Sequence, residues 1–86
     1  MAKKTRWEGL LLALNGDWWT SNPPAADDPT CFLTVPVRAV LRAGQAARAR
    51  GYRIDEIRIS PREPDGIQFR LFDTRVRPLA PPAAPA

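Results

Sequence analysis

Across residues 34–72 the spacing of the apolar positions changes once, from three or four residues to two. Val37, Val40, Leu41, Gly44 and Ala47 recur at helical spacing, with Arg38, Arg42, Gln45 and Ala49 on the opposite side. Thr34 is a capping residue and Pro36 sits where a missing N–H costs nothing, so the spacing predicts a helix over 35–50. Arg48 and Arg50 complement the dipole of its last turn, and Gly51 suits a left-handed cap. Beyond the cap, Ile57 and Ile59 share one strand phase and Ile67, Phe69 and Leu71 another, with Ser60-Pro61-Arg62-Glu63-Pro64-Asp65-Gly66 as turn material between them. With Ile59 opposite Ile67, Ile57 meets Phe69 on the inner face, while Arg58 faces Gln68 and Glu56 faces Arg70 outside. Tyr52 and Ile54 are out of phase with Ile57 and Ile59. Either the strand begins near Glu56 or, the preferred reading, a bulge at Asp55-Glu56 restores register.

The rest of the chain is weaker in pattern. Trp7, Leu10, Leu11, Leu14 and Trp18 follow helical spacing behind Thr5-Arg6-Trp7-Glu8, which has the spacing of a capping box. This favours a short helix ending near Asn15-Gly16. A hairpin competes, because Asn-Gly is a strong two-residue turn signal and Trp18-Trp19-Thr20 would supply the return strand. Residues 21–29, with Pro23-Pro24 and Asp27-Asp28, read as a loop in which nothing regular fits. Residues 30–35 are β-rich and predict a short strand beside the hairpin, and Arg75, Val76 and Arg77 would extend the last strand before Pro78. The expectation is one small α+β domain over 6–77: an amphipathic helix on a two- or three-stranded antiparallel sheet, closed by an N-terminal Leu/Trp-rich helix or hairpin. It is flanked by a flexible basic end over 1–5 and a disordered Pro/Ala tail over 78–86. Gly44, on the buried stripe of an Ala-rich helix, asks for a steric reason, such as a Trp ring resting on the bare backbone.

Composition narrows the chemistry. The single cysteine, Cys31, has no internal partner, and without a histidine the usual Cys/His metal sites and Ser-His or Cys-His nucleophilic pairs are excluded. No motif for a cofactor stands in the chain, so an enzyme is not expected. Asp27-Asp28, Asp55-Glu56 and Glu63 with Asp65 read as solvent-facing turn formers, and Cys31 as a small buried apolar residue. No apolar run reaches the length of a membrane span, which predicts a cytoplasmic protein with no membrane partner. The bias toward Arg, Ala and Pro is what a GC-rich bacterial or phage genome writes.

Thirteen basic residues against nine acids give a net charge of +4, and the distribution matters more than the sum. Residues 31–53 hold five Arg and no acid, which predicts an unpaired positive stripe on the helix, extended by Arg58 and Arg70 of the hairpin. Of the consecutive Trp18 and Trp19, one should enter the core and the other stay partly exposed as an anchor. Arg38, Arg42, Arg48, Arg53, Arg58, Arg70, Trp18 and Trp19 are therefore the candidate binding residues. They suit a small protein-binding module, an adaptor or inhibitor such as a mobile element encodes. The alternative is a nucleic-acid-binding accessory protein that contacts phosphates through the same arginines.

Overall fold

The computed structural model describes residues 5–76. In chain order these form helix α1 (Arg6–Ala13), strands β1 (Thr20–Asn22) and β2 (Thr30–Pro36), a 3-10 turn (Val37–Ala39), helix α2 (Val40–Ala49), and strands β3 (Tyr52–Ile59) and β4 (Gly66–Asp73). The strands make one antiparallel sheet in the order β1-β2-β4-β3. The fold is thus a small α+β domain with two helices and a four-stranded antiparallel sheet, one strand more than the two or three expected. Of the predicted flexible end over 1–5 only Thr5 is described, and the predicted tail over 78–86 lies outside the described residues.

The hairpin forms in the register that its alternation dictates. Ile59 pairs with Ile67, Arg58 with Gln68, Ile57 with Phe69 and Glu56 with Arg70, and the register shifts between Ile54 and Glu56, the bulge expected there. β2 pairs with β4 along its whole length, from Thr30 opposite Phe72 to Pro36 opposite Gly66, so β4 is central and β3 is a sheet edge. β1 shortens the loop read over 21–29 to 23–29, which is irregular. Thr20, Ser21 and Asn22 pair with Thr34, Leu33 and Phe32, a three-residue edge that needs backbone hydrogen bonds and no apolar alternation. β4 stops at Asp73. Thr74, Arg75 and Val76 turn away, with the Val76 N–H donating to the Asp73 carbonyl at 3.2 Å, so the predicted extension does not form.

At the N-terminus the helix reading holds. Thr5 Oγ1 accepts the Glu8 N–H at 3.1 Å, and α1 is left through Asn15 and Gly16, both at positive φ (51° and 86°), where the missing Cβ of glycine removes the steric penalty. Its buried residues Trp7, Leu10 and Leu14 join Cys31, Leu33, Val35, Phe69, Leu71 and Tyr52 in one core, with Trp7 edge-on to Tyr52 at 5.5 Å between centroids. Both helices cover the sheet face that carries Leu33, Val35 and Phe69.

α2 differs from expectation at both its start and its face. Thr34 and Val35 stay in the sheet, opposite Gln68 and Ile67, so Thr34 is buried between strands instead of capping a helix; the cross-strand ladder outweighs the local capping signal. The helix begins with the 3-10 turn, and Ala39 precedes it without a side-chain cap. Its buried row is Ala39, Ala43 and Ala47, at i, i+4 and i+8, with Val40 and Ala46 beside it. Methyl-sized side chains let the helix lie close to the sheet, which turns the larger Val37 and Leu41 outward, at 56% and 79% exposure. A Cβ on Gly44 would meet Ile54 Cδ1 at 3.6 Å and Phe69 Cε2 at 3.8 Å, ordinary contacts with no Trp among them. The ring that rests on a bare glycine is Trp19, and the glycine is Gly66, where a Cβ would stand 3.0 Å from Trp19 Cζ3.

Candidate protein-binding surface

The predicted arginine surface does not assemble. Arg38 and Arg42 both reach Asp17 in the turn after α1, Arg38 at 3.0 Å to one carboxylate oxygen and Arg42 to the other. Hydrogen bonds from Arg42 and then Arg38 hold the Asp17 carboxyl below its ordinary pKa. The stripe that is free of acids in sequence therefore carries one in space. Arg58 and Arg70 belong to the strand phase opposite Ile57 and Phe69, on the sheet face away from α2, so they cannot extend the helix stripe. Arg58 Nε donates to Gln68 Oε1 at 2.9 Å and lies 3.8 Å from Glu56; Arg53 pairs with Asp55 at 2.6 Å and covers the Phe72 ring at 4.9 Å. Arg70 is exposed opposite Phe32, and Arg48 is exposed on α2.

The tryptophans divide as expected. Trp18 packs on the core, and Trp19 keeps 42% of its surface exposed while its ring covers Gly66. The carboxylate pairs do not converge: Asp28 accepts the Thr30 N–H, Asp55 pairs with Arg53, and Glu63 accepts the Ser60 hydroxyl. Cys31 is fully buried, and burial first, then the nearby Asp73 charge, pushes its thiol up to about 12. Its Sγ lies 3.5 Å from the Leu71 carbonyl, the environment of a packing residue.

A different surface emerges where α2 overhangs the edge of the sheet. Leu41, Gly44, Arg48, Ile54, Ile57 and Phe69 line an open groove of about 250 Å³. Val37 lies one turn before Leu41 on the same helix flank, and Ile59 lies two residues beyond Ile57 in the same strand phase. Ile57 is 52% exposed and Ile59 71%. Leu41 and Ile57 thus stand in solvent at the groove itself, with the exposed Val37 and Ile59 next to them along their own elements, where singly scattered side chains would be unexceptional. The groove runs along the outer side of β3, which pairs with no further strand on that side among the described residues. The Ser60 N–H donates to the Gly66 carbonyl at 2.9 Å, and antiparallel alternation then directs the backbone groups of Arg58 and Glu56 toward β4, and those of Ile57 and Ile59 outward from the sheet.

Sequence reasoning assigned Leu41, Ile57 and Ile59 to the core. One signal against this was present: Ala39, Ala43 and Ala47 form a second row at i+4 spacing, and a single helix face cannot bury both rows. No protein-family model matches the chain, and no curated protein or solved structure matches it. No helix among the described residues is long and apolar enough to cross a membrane.

Proposed function

We propose that the protein is a non-enzymatic protein-binding module, an adaptor or inhibitor, whose contact surface is the apolar flank of α2 together with the free edge of β3. The observation that supports this reading is a groove lined by the exposed Leu41 and Ile57, with the exposed Val37 and Ile59 beyond them, beside outward-facing backbone donors and acceptors. Apolar side chains supply the buried centre of an interface, the strand edge supplies main-chain hydrogen bonds, and Arg48 at the rim supplies the residue type that interfaces favour. The arginines of α2 take a secondary part, because Arg38 and Arg42 are already engaged by Asp17.

The test is capture from a nuclease-treated lysate by immobilised protein, followed by reconstitution with the purified partner. Leu41→Ser and Ile59→Ser remove exposed apolar area and leave stability within about 0.5 kcal/mol. Each is expected to weaken the reconstituted complex by about tenfold or more. Equal binding by wild type and both variants would overturn the surface.

The nucleic-acid reading keeps one observation in its favour: Phe32, Phe72 and Arg70 lie in the strand phase of the face that carries neither helix. Most other charges on that face are paired with each other, which ranks this reading second. Binding of a labelled single-stranded oligonucleotide that weakens with salt and is lost in Arg70→Ala would put it first.

A further inference from the structure

We propose that the partner fitting this surface is a second copy of the same chain, joined β3 to β3 in antiparallel fashion about a two-fold axis through Ile57. This rests on reading the α2/β3 surface as a protein-binding one, and names its occupant.

The register follows from charge and phase. In a continuous sheet, inner-face residues must meet inner-face residues, which leaves only pairings centred on a residue of β3. Centring on Arg58 sets Arg58 against its own copy, and centring on Glu56 does the same with two carboxylates; like charges directly opposite are destabilising. Centring on Ile57 avoids both. Ile57 then meets Ile57 of the other copy on the inner face, while Glu56 meets the partner's Arg58, and Arg58 the partner's Glu56, on the outer face. Ile59 lies opposite Asp55, where the bulge ends the ladder. Ile57 is also a residue whose backbone groups point outward, so the same register joins its unpaired donor and acceptor to those of its copy, while Ile59 stands at the end of the ladder.

The apolar surface closes in the same arrangement. A two-fold axis normal to the sheet keeps both α2 helices on one side of the joined sheet. Val37 and Leu41 of each copy then flank the paired Ile57 and Ile59 residues, and the two grooves face one another across the axis. β3 is eight residues long and carries no proline or lysine; its charged residues Glu56 and Arg58 meet opposite charges in this register, and its bulge at Asp55 limits the ladder to residues 56–58 of each copy.

Sedimentation equilibrium of the purified protein over about 1 to 300 μM, the range for a small interface, tests the idea. The mass is expected to rise from 9.6 kDa toward twice that value. Arg58→Glu places two carboxylates opposite each other at both ends of the pairing, and Glu56→Arg places two guanidinium groups there; each alone is expected to weaken self-association by about tenfold or more. Mixed together, the two variants restore opposite charges at both ends of the pairing. The arginine introduced in one chain faces the glutamate introduced in the other, and the unchanged Arg58 of the first faces the unchanged Glu56 of the second. This mixture is expected to form a mixed dimer at 0.15 M salt, where about 8 Å of screening removes long-range attraction. Glu56→Arg mixed with Arg62→Glu, a change away from the strand edge, has one complementary end and one end with two guanidinium groups, and is expected to give less mixed dimer than the complementary mixture. A constant 9.6 kDa across the range overturns the self-pairing. So does a dimer indifferent to Arg58→Glu, or failure of the complementary mixture. A monomer whose Leu41→Ser variant still loses a reconstituted partner leaves the binding surface standing with another occupant, and a monomer indifferent to Leu41→Ser ends both readings.

Discussion

A methyl group added at Gly66 and one added at Gly44 have opposite consequences, although both glycines lie against aromatic rings. At Gly66 the new carbon stands 3.0 Å from Trp19 Cζ3 and 3.2 Å from both Cβ and the carbonyl oxygen of Glu63, and the backbone oxygen cannot yield freely because it also accepts the Gly66 N–H. Gly66→Ala is expected to cost about 1 to 3 kcal/mol through overpacking. At Gly44 the nearest atoms, in Ile54 and Phe69, are at 3.6 and 3.8 Å, so the methyl group makes normal contacts. There the gain in helix propensity and the less entropic unfolded chain dominate, and Gly44→Ala is expected to stabilise by about 0.5 to 1 kcal/mol. Urea titration of both variants by Trp fluorescence checks the pair: the midpoint falls for one and rises for the other, with unchanged slope. The sequence pointed to Gly44 as the glycine under a Trp ring, and no Trp stands there. The contact at Gly66 was not legible, because it depends on Trp19, just before β1, being held to β2 by its N–H donating to the Thr34 carbonyl at 2.8 Å, and polar Thr20, Ser21 and Asn22 do not announce that pairing.

At the scale of elements, legibility followed the strength of the period. The β3–β4 hairpin was readable down to the register of each pair, because its two apolar phases agree only one way and the misfit of Tyr52 and Ile54 requires an extra residue. α2 carries two rows with equal claims to the core. The row of larger residues is outside, and the choice was made by how closely the helix must approach the sheet, which no local spacing encodes. The same limit hid the ion pairs of α2. Arg38 and Arg42 lie 21 and 25 residues from Asp17, and only the packing of α1 beside α2 brings the carboxylate between them. The Asp17 carboxyl is accordingly expected to titrate below the ordinary aspartate range when followed by carbon-13 NMR. Arg42→Ala should raise it more than Arg38→Ala does, because the Arg42 hydrogen bond is the larger influence. Equal titration in all three proteins would mean that these exposed pairs do not persist in solution.

For the whole molecule, closure depends on a residue that the sequence presents as part of a helix start. Arg6 donates to the Arg50 carbonyl at 2.7 Å, lies 5.1 Å over the Tyr52 ring, and pairs with Asp73, so one side chain joins α1, the end of α2, β3 and β4. Asp73 is 67 residues away and nothing near either residue marks the pairing. Burial works against the charge of Asp73 and is the largest single influence on it. The Arg6 hydrogen bond, the Arg75 N–H at 2.9 Å and the Arg6 charge together outweigh it and hold the carboxyl below its ordinary range. A carboxyl with a depressed folded pKa contributes stability that is complete above its unfolded value, near 3.9, and is lost as pH falls through the folded value. Asp73→Asn keeps the shape and removes the charge, leaving Arg6 without its counter-ion. With the Asp73 side chain 4% exposed and that of Arg6 24%, the loss at pH 7 is expected to be about 2 to 3 kcal/mol, at or just under the cost of removing one partner from a fully buried pair. Denaturant titrations of wild type and Asp73→Asn between pH 7 and pH 2 check both size and sign. The two stabilities should differ by a constant amount down to about pH 5 and converge below pH 4 as the wild type takes up the proton. A difference unchanged down to pH 2 would show that the amide substitution acts through packing, and that the carboxylate charge does not hold the helices to the sheet.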